Sequence, residues 1–181
     1  IAKEAGVQVI AMEENQGKGE ALRRGLAATR EMDVIVFLDA DLGESAQEAG
    51  KLLHPVWEGW ADMTIARFPP AKKKGGFGFV KNLARWGIQK TTGLRMESPL
   101  SGQRAMRREV MEKLGMPAPG FGVEVALTID AFRAGFRLKE VPVNMTHAET
   151  GRTWAGFLHR GKQFSAVAGV LITRLLFRQK G

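Results

Sequence analysis

The chain has 181 residues, 44% of them hydrophobic, which suits one well-buried domain and is short for two. It contains no cysteine, which excludes disulfides and thiolate metal sites and fits a reducing cytoplasm. Its 27 Lys and Arg against 19 Asp and Glu give a formal charge of +8, and residues 133–181 hold nine basic and two acidic side chains, so an anionic partner or surface is expected at the last quarter.

No signal peptide is visible, and the first residues read as the end of a helix entering a strand, so a missing natural N-terminus is expected. The run Gly6 to Met12 is short, apolar and β-branched, as in a buried strand. Gly17-Lys18-Gly19 opens a helix predicted over Glu20 to Arg30, with Ala21, Leu22, Leu26 and Ala27 on one face. Asp33 to Leu38 is the most strand-like run, and its lack of polar alternation predicts burial on both faces. Ser45 and Glu48 have capping-box spacing ahead of a helix carrying Ala49, Leu52, Leu53, Val56 and Trp57. Asp62 to Ala66 reads as a further strand. Strand and helix alternating over short connections predict an α/β domain with a mainly parallel sheet.

Beyond Arg67 the pattern changes. Pro69 to Gly78 reads as a basic loop, Phe79 to Thr91 as a helix, and the stretch through Ser101-Gly102 as irregular. A helix follows over Arg107 to Leu114, with Arg107 and Arg108 expected on its exposed face. Met116 to Gly122 is a loop, Val123 to Ala134 a helix ended by Gly135, and Leu138 to Val143 an edge strand because of Pro142. From Trp154 a long helix carries Trp154, Phe157, Leu158, Phe164, Leu171 and Leu175 on one stripe, with Arg160, Lys162, Arg174, Arg178 and Lys180 around it. The expected organisation is a catalytic unit over 1–153 and a basic amphipathic helix over 154–181.

Chemistry concentrates at Asp39-Ala40-Asp41, directly after the strand Val34 to Leu38. Ligands of open α/β sheets bind at the carboxyl ends of strands. Two carboxylates one residue apart can approach one hard divalent ion, Mg²⁺ or Mn²⁺, which would neutralise a diphosphate. A solvated Asp39 beside a turn-capping Asp41 is the plainer alternative.

The segments Glu14 to Leu26, Asp33 to Asp41, Ser101-Gly102-Gln103-Arg104-Ala105 and Glu140-Val141-Pro142-Val143 occur in this order. Together they resemble family 2 glycosyltransferases, in the branch of dolichyl-phosphate mannose synthase and bacterial polyprenyl-phosphate glycosyltransferases. The resemblance implies a GT-A fold, a Rossmann-like three-layer domain here missing its first strands. It implies transfer of a sugar from a nucleotide-sugar donor to a lipid-linked (polyprenyl-phosphate) or other acceptor. Asp39 would face nucleotide and sugar, and Asp41 would hold the metal. The family's Pro-x-Tyr-Asn-Glu and Asp-Asp-Gly-Ser segments, which hold much of the nucleotide, are not present, so the chain alone is expected to be inactive. The Gln that often follows the second Asp by two residues as a further metal ligand is here Gly43, with Glu44 beside it.

Six other positions are candidates, five of them from the resemblance. Arg67 would contact donor phosphate and Arg104 would line the acceptor side. Glu124 would face sugar or acceptor, serving as general base if the acceptor is a hydroxyl. His147 and Arg152 lie in a loop that closes on phosphates. Lys18, between two glycines, could add a cation and backbone amides near the donor. Each has a structural alternative as a solvated, helix-starting or dipole-favoured side chain.

Gln163 to Thr173, the longest uncharged stretch of the last helix, is shorter than the ~20 apolar residues a membrane span needs. Peripheral contact at the cytoplasmic face of a membrane is expected instead, with no nucleic-acid partner. The rivals are a haloacid-dehalogenase-type phosphohydrolase and a non-enzymatic basic module binding membrane or nucleic acid. Gly43 and the lack of a late acidic pair argue against the first; the second leaves the Asp pair idle.

Overall fold

The computed structural model describes residues 4, 6–14, 16, 18–69, 78–115, 122–146 and 154–176, with side chains of the last helix from 164 onward. The predicted loops over 69–78 and 116–122 lie largely outside them. The elements are α1 (Lys18–Ala28), β1 (Val34–Phe37), a 3-10 turn (Gly43–Glu48), α2 (Ala49–Trp57), β2 (Met63–Arg67), α3 (Gly78–Thr92), β3 (Arg104–Arg107), α4 (Arg108–Leu114), α5 (Val123–Arg133), β4 (Leu138–Pro142) and α6 (Trp154–Leu176).

The α/β expectation holds, and the sheet is mixed. Its order is β1-β3-β2-β4. β2 and β4 pair in parallel, whereas β3 runs against both β1 and β2. Thus β1, β2 and β4 point one way, with the reversed strand between β1 and β2.

Alternation along the strands builds a core on each side of the sheet. Ile35, Phe37, Met63, Ile65 and Met106 face a cluster with Val80, Ile88, Val125, Ile129, Val167 and Leu171 from α3, α5 and α6. Val34, Val36, Ala66, Ala105 and Val141 face Leu52 and Val56 of α2. Two apolar faces explain why β1 shows no polar alternation in sequence.

Several details depart from expectation. Residues 7–12 form no strand, and Val7, Val9 and Ile10 are exposed. Among the described residues they have no strand to pair with, and an extended segment without a ladder partner is not a sheet member. β3 is not expected from the sequence: it lies just past the stretch read as irregular and takes in Arg107, expected to open a helix, and Arg104 and Arg107 flank only two apolar residues. Ser45 and Glu48 make no capping box. Ser45 Oγ donates to Leu42 O (2.6 Å) and accepts from Thr146 N (3.1 Å), while Glu48 accepts from Asn144 N (2.9 Å). Both tie the segment after β4 to the turn before α2. Arg108 is not a free surface residue, since its guanidinium donates to Met32 O (2.6 Å) and Thr29 O, fastening the end of α1. Arg107 lies 3.8 Å from Asp62.

β4 is an edge strand, as Pro142 predicts, and α5 stops at Gly135. There φ is +88°, Gly135 N donates to Phe132 O, and Phe136 N donates to Ala131 O, a Schellman arrangement. The described half of α6 packs on the domain. Leu171 and Val167 are buried, Leu171 sits over Gly87 of α3, and Arg174 forms a bidentate pair with Asp130 of α5 (Nε to Oδ1, 2.8 Å).

Candidate active site

Because β3 is reversed, its first residues arrive where β1 and β2 end. Phe37 and Ile65 both register with Arg104, and Gln103 precedes it. The carboxyl ends of two strands and the start of a third therefore meet at one edge.

Past Phe37 the chain leaves the sheet through Leu38 and a turn at Ala40-Asp41, then is anchored by Leu42, which is buried against α2. Asp39 is half-buried and Asp41 exposed. Asp39 Oδ2 accepts a hydrogen bond from Gln103 Nε2 at 2.6 Å. Gly43 then adopts φ +52°, a left-handed conformation costing an L side chain ~1–2 kcal/mol. Backbone geometry thus explains the glycine that stands where a further ligand was sought. Glu44 is exposed at the start of the 3-10 turn.

Among the described residues no three or more His, Cys, Asp and Glu side chains cluster as a metal cage. Mg²⁺ and Mn²⁺ do not require one. Such ions are commonly held by one or two carboxylates, with phosphate oxygens and water completing the shell. Asp39 and Asp41, on one turn at a strand's carboxyl end, fit that donor set.

Arg67 ends β2 at the same edge. It pairs with Glu97 (3.0 Å), both side chains being more than a third exposed. The loop carrying Glu97 is built with care. Glu140 of β4 accepts from Glu97 N (2.8 Å) and Ser98 N (2.7 Å), and Arg85 of α3 donates to Met96 O (3.0 Å) and Glu97 O (2.8 Å). Ser98 Oγ in turn accepts from Phe68 N.

Arg104 is a buried strut. It is 1% exposed, with Nε donating to Ser101 O (2.9 Å), Nη1 to Thr128 Oγ1 (3.0 Å) and Nη2 to Glu124 O (2.9 Å). Burial lowers its pKa to about 10, opposed by the nearby carboxylates of Glu124 and Glu140. These bonds hold the first turn of α5, where Glu124 is half-buried, against the loop entering β3. Lys18 begins α1, and nothing is described of its side chain; His147 and Arg152 lie outside the described residues.

The structure therefore brings Asp39, Asp41, Arg67, Arg104 and Glu124 to one end of the sheet, and adds Gln103 and Glu140. Gln103 donates a hydrogen bond to Asp39. Strand alternation was the available signal, since neighbours in an extended chain face opposite sides and Gln103 and Arg104 cannot share one. Glu140 acts on backbone amides over forty residues away, and no local pattern announces that.

Known proteins are similar to this chain in sequence and in fold. Glycosyltransferase AglJ of Haloferax volcanii is 27% identical over 149 residues, covering 78% of this chain and 48% of its own. Polyprenol monophosphomannose synthase of Mycolicibacterium smegmatis is 33% identical over 144 residues, covering 72% and 49%. The chain thus spans about half the length of these relatives. A crystal structure of glucosyl-3-phosphoglycerate synthase from Mycobacterium tuberculosis with Mn²⁺, UDP-glucose and phosphoglyceric acid superposes with a TM-score of 0.71 at 28% identity, covering 96% of this chain and 62% of that one. The sequence pattern described as Glycosyl transferase family 2 matches residues 1–115. With the GT-A-like fold and the family pattern over more than half its length, the chain belongs to glycosyltransferase family 2.

Proposed function

We propose that this chain is part of a metal-assisted glycosyltransferase that moves a sugar from a nucleotide-diphosphate donor to a lipid-linked (polyprenyl phosphate) or other acceptor. The observation carrying this reading is the Asp39–Asp41 turn at the carboxyl end of β1, braced by Gln103 and flanked by Arg67. Asp41, with Asp39, would hold Mg²⁺ or Mn²⁺, and the cation's contribution is to neutralise the departing diphosphate. Asp39 faces nucleotide and sugar, and Lys18 adds positive charge on the donor side.

Arg67 serves donor phosphate. Its exposed pair with Glu97 is of a kind worth about 0–1 kcal/mol, so a diphosphate can displace it. Arg104 supports the acceptor side by fixing the first turn of α5, which carries Glu124. A phosphate acceptor is already an anionic nucleophile and asks Glu124 only to orient; a hydroxyl acceptor needs it as a base. His147 and Arg152 are assigned to acceptor or donor phosphate.

Peripheral membrane contact through 154–181 is supported by Ile172 and Leu176, which α6 leaves exposed at 56% and 73%. No described helix is long and apolar enough to cross a membrane. The relatives support two acceptor classes, a polyprenol phosphate and a phosphoglycerate, and both present a phosphate.

The test uses the full-length protein. Mn²⁺ should strengthen binding of one nucleoside diphosphate from a thermal-shift panel, and Asp39→Asn or Asp41→Asn should remove that dependence. Sugar transfer to polyprenyl phosphate in anionic vesicles, in parallel with 3-phosphoglycerate in solution, identifies the acceptor. Absence of any Mn²⁺-dependent nucleotide response sinks the transferase reading; transfer to phosphoglycerate alone sinks the lipid acceptor.

A further inference from the structure

Gln103 is 1% exposed, yet its amide reaches toward Asp39 and away from the apolar clusters. Its Nε2 donates to Asp39 Oδ2 at 2.6 Å. Ser101 Oγ lies 3.4 Å from its Oε1, which turns the NH₂ toward the carboxylate. Its backbone oxygen accepts from Ala66 N at 2.9 Å. One residue therefore joins the end of β1 to the end of β2, immediately before Arg67.

Resting on the transferase reading above, we infer that Gln103 is a positioning residue for Asp39, holding its carboxylate in one rotamer while leaving its charge intact for a cation. The chemistry of the alternatives supports a neutral donor here. Lys or Arg would pair with Asp39 and compete with a metal. Glu would set two carboxylates within hydrogen-bond distance, where like charges repel. An apolar side chain would withdraw this hydrogen bond from the carboxylate. An amide hydrogen bond removes rotational freedom without neutralising the acid. Partners of this kind, behind a metal-binding carboxylate, commonly change metal affinity or activity by about 10–100-fold when removed.

Burial gives the arrangement its stiffness. Gln103 precedes a strand hydrogen-bonded on both sides, and its neighbour Arg104 is fixed by three acceptors. Movement of Gln103 would require movement of β3 itself. Asp39 thereby acquires the precision of a strand although it lies in a turn.

The experiment compares the full-length wild type with Gln103→Met, which keeps side-chain length and removes the donor. Calorimetry measures binding of the nucleoside diphosphate that the wild type prefers, with Mn²⁺ and with EDTA. The expected result is a fall of about 10–100-fold in affinity with Mn²⁺, unchanged affinity in EDTA, and little change in Tm. A purely structural role would lower Tm and depress both affinities alike. An unchanged ratio of the two affinities overturns the inference. If Gln103→Met does not fold, Gln103→Asn carries the same ratio test, because it keeps a neutral amide and is one methylene too short to reach Asp39. A wild type that shows no Mn²⁺ dependence overturns the transferase reading itself, a separately visible failure.

Discussion

Substituting Gly87 with Ala tests how α6 is joined to the rest of the domain. Gly87 is buried in α3 directly beneath Leu171 of α6. A methyl at position 87 would sit 2.8 Å from Leu171 Cγ and closer still to both Cδ atoms. Carbon atoms pack best near ~3.5–4.0 Å, so the whole Leu171 side chain would have to move by about 1 Å. Rotation about Cα–Cβ would carry all three atoms away together, but only into the packing that already surrounds this buried side chain. Overpacking of this kind costs about 1–3 kcal/mol, against a gain of ~0.5–1 kcal/mol from replacing Gly in a helix interior. The net expectation is a loss of ~0–2.5 kcal/mol. Leu171→Ala alone should cost about 2–5 kcal/mol, because Leu171 is 2% exposed and leaves a cavity. In the double variant the new methyl enters that cavity, so the combined loss should be at least ~0.5 kcal/mol smaller than the sum. Urea unfolding of all four proteins measures this. Additive losses, or a stabilising Gly87→Ala, would refute close docking of α6 on α3.

Arg104→Met should destabilise by about 2–4 kcal/mol in denaturant unfolding, since it removes the buried guanidinium that donates to Ser101 O, Thr128 Oγ1 and Glu124 O. Arg104→Lys should recover less than half, because an ammonium cannot span three acceptors spaced for a guanidinium; full recovery would show that charge alone matters. Asp62 anchors the starts of β2 and β4 through Arg137, whose guanidinium and backbone N–H all donate to it, and these bonds hold its pKa below the ordinary 3.8. The pair's contribution is complete above that value and is lost as pH falls through the lower folded pKa. The stability gap between wild type and Asp62→Asn should therefore be constant from neutral pH to about pH 5 and shrink below pH 4, with a constant gap down to pH 2.5 counting against the ion pair. Gly43→Ala should cost about 1–2 kcal/mol from its left-handed backbone, measurable as a lower Tm; a neutral result would mean that the turn after Asp41 adapts.

What was legible in the sequence was what local rules govern. The continuous apolar run of β1, Pro142 at a sheet edge, Gly135 ending α5 and the helical spacing of α2 all follow from one segment's own chemistry. The Asp39–Asp41 turn was legible because a strand's carboxyl end is a general place for ligands. The rest depends on distant partners. β3 could not be read because Arg104 counts as polar in any pattern, and only Ser101, Thr128 and Glu124 together make its burial tolerable. Ser45 and Glu48 had cap spacing, but Thr146 and Asn144 offered them backbone amides from the far end of the chain. Gln103 stood beside a more conspicuous arginine, and the direction of each side chain was set by a strand not yet recognised.

The reversed strand also governs when the site can exist. The bond between Gln103 and Asp39 spans 64 residues of sequence, and β3 is seated only when β1 and β2 are both available to flank it. No local fragment contains the corner of the site, so its formation carries the loop-closure cost of the whole sheet. Amide hydrogens at Ala66 and along β3 should accordingly exchange only on near-global opening, and occupancy of the site should slow them. A ligand present at a hundred times its dissociation constant would deepen the folded state by about 2.7 kcal/mol. Binding at this corner is thus coupled to the survival of the fold as a whole.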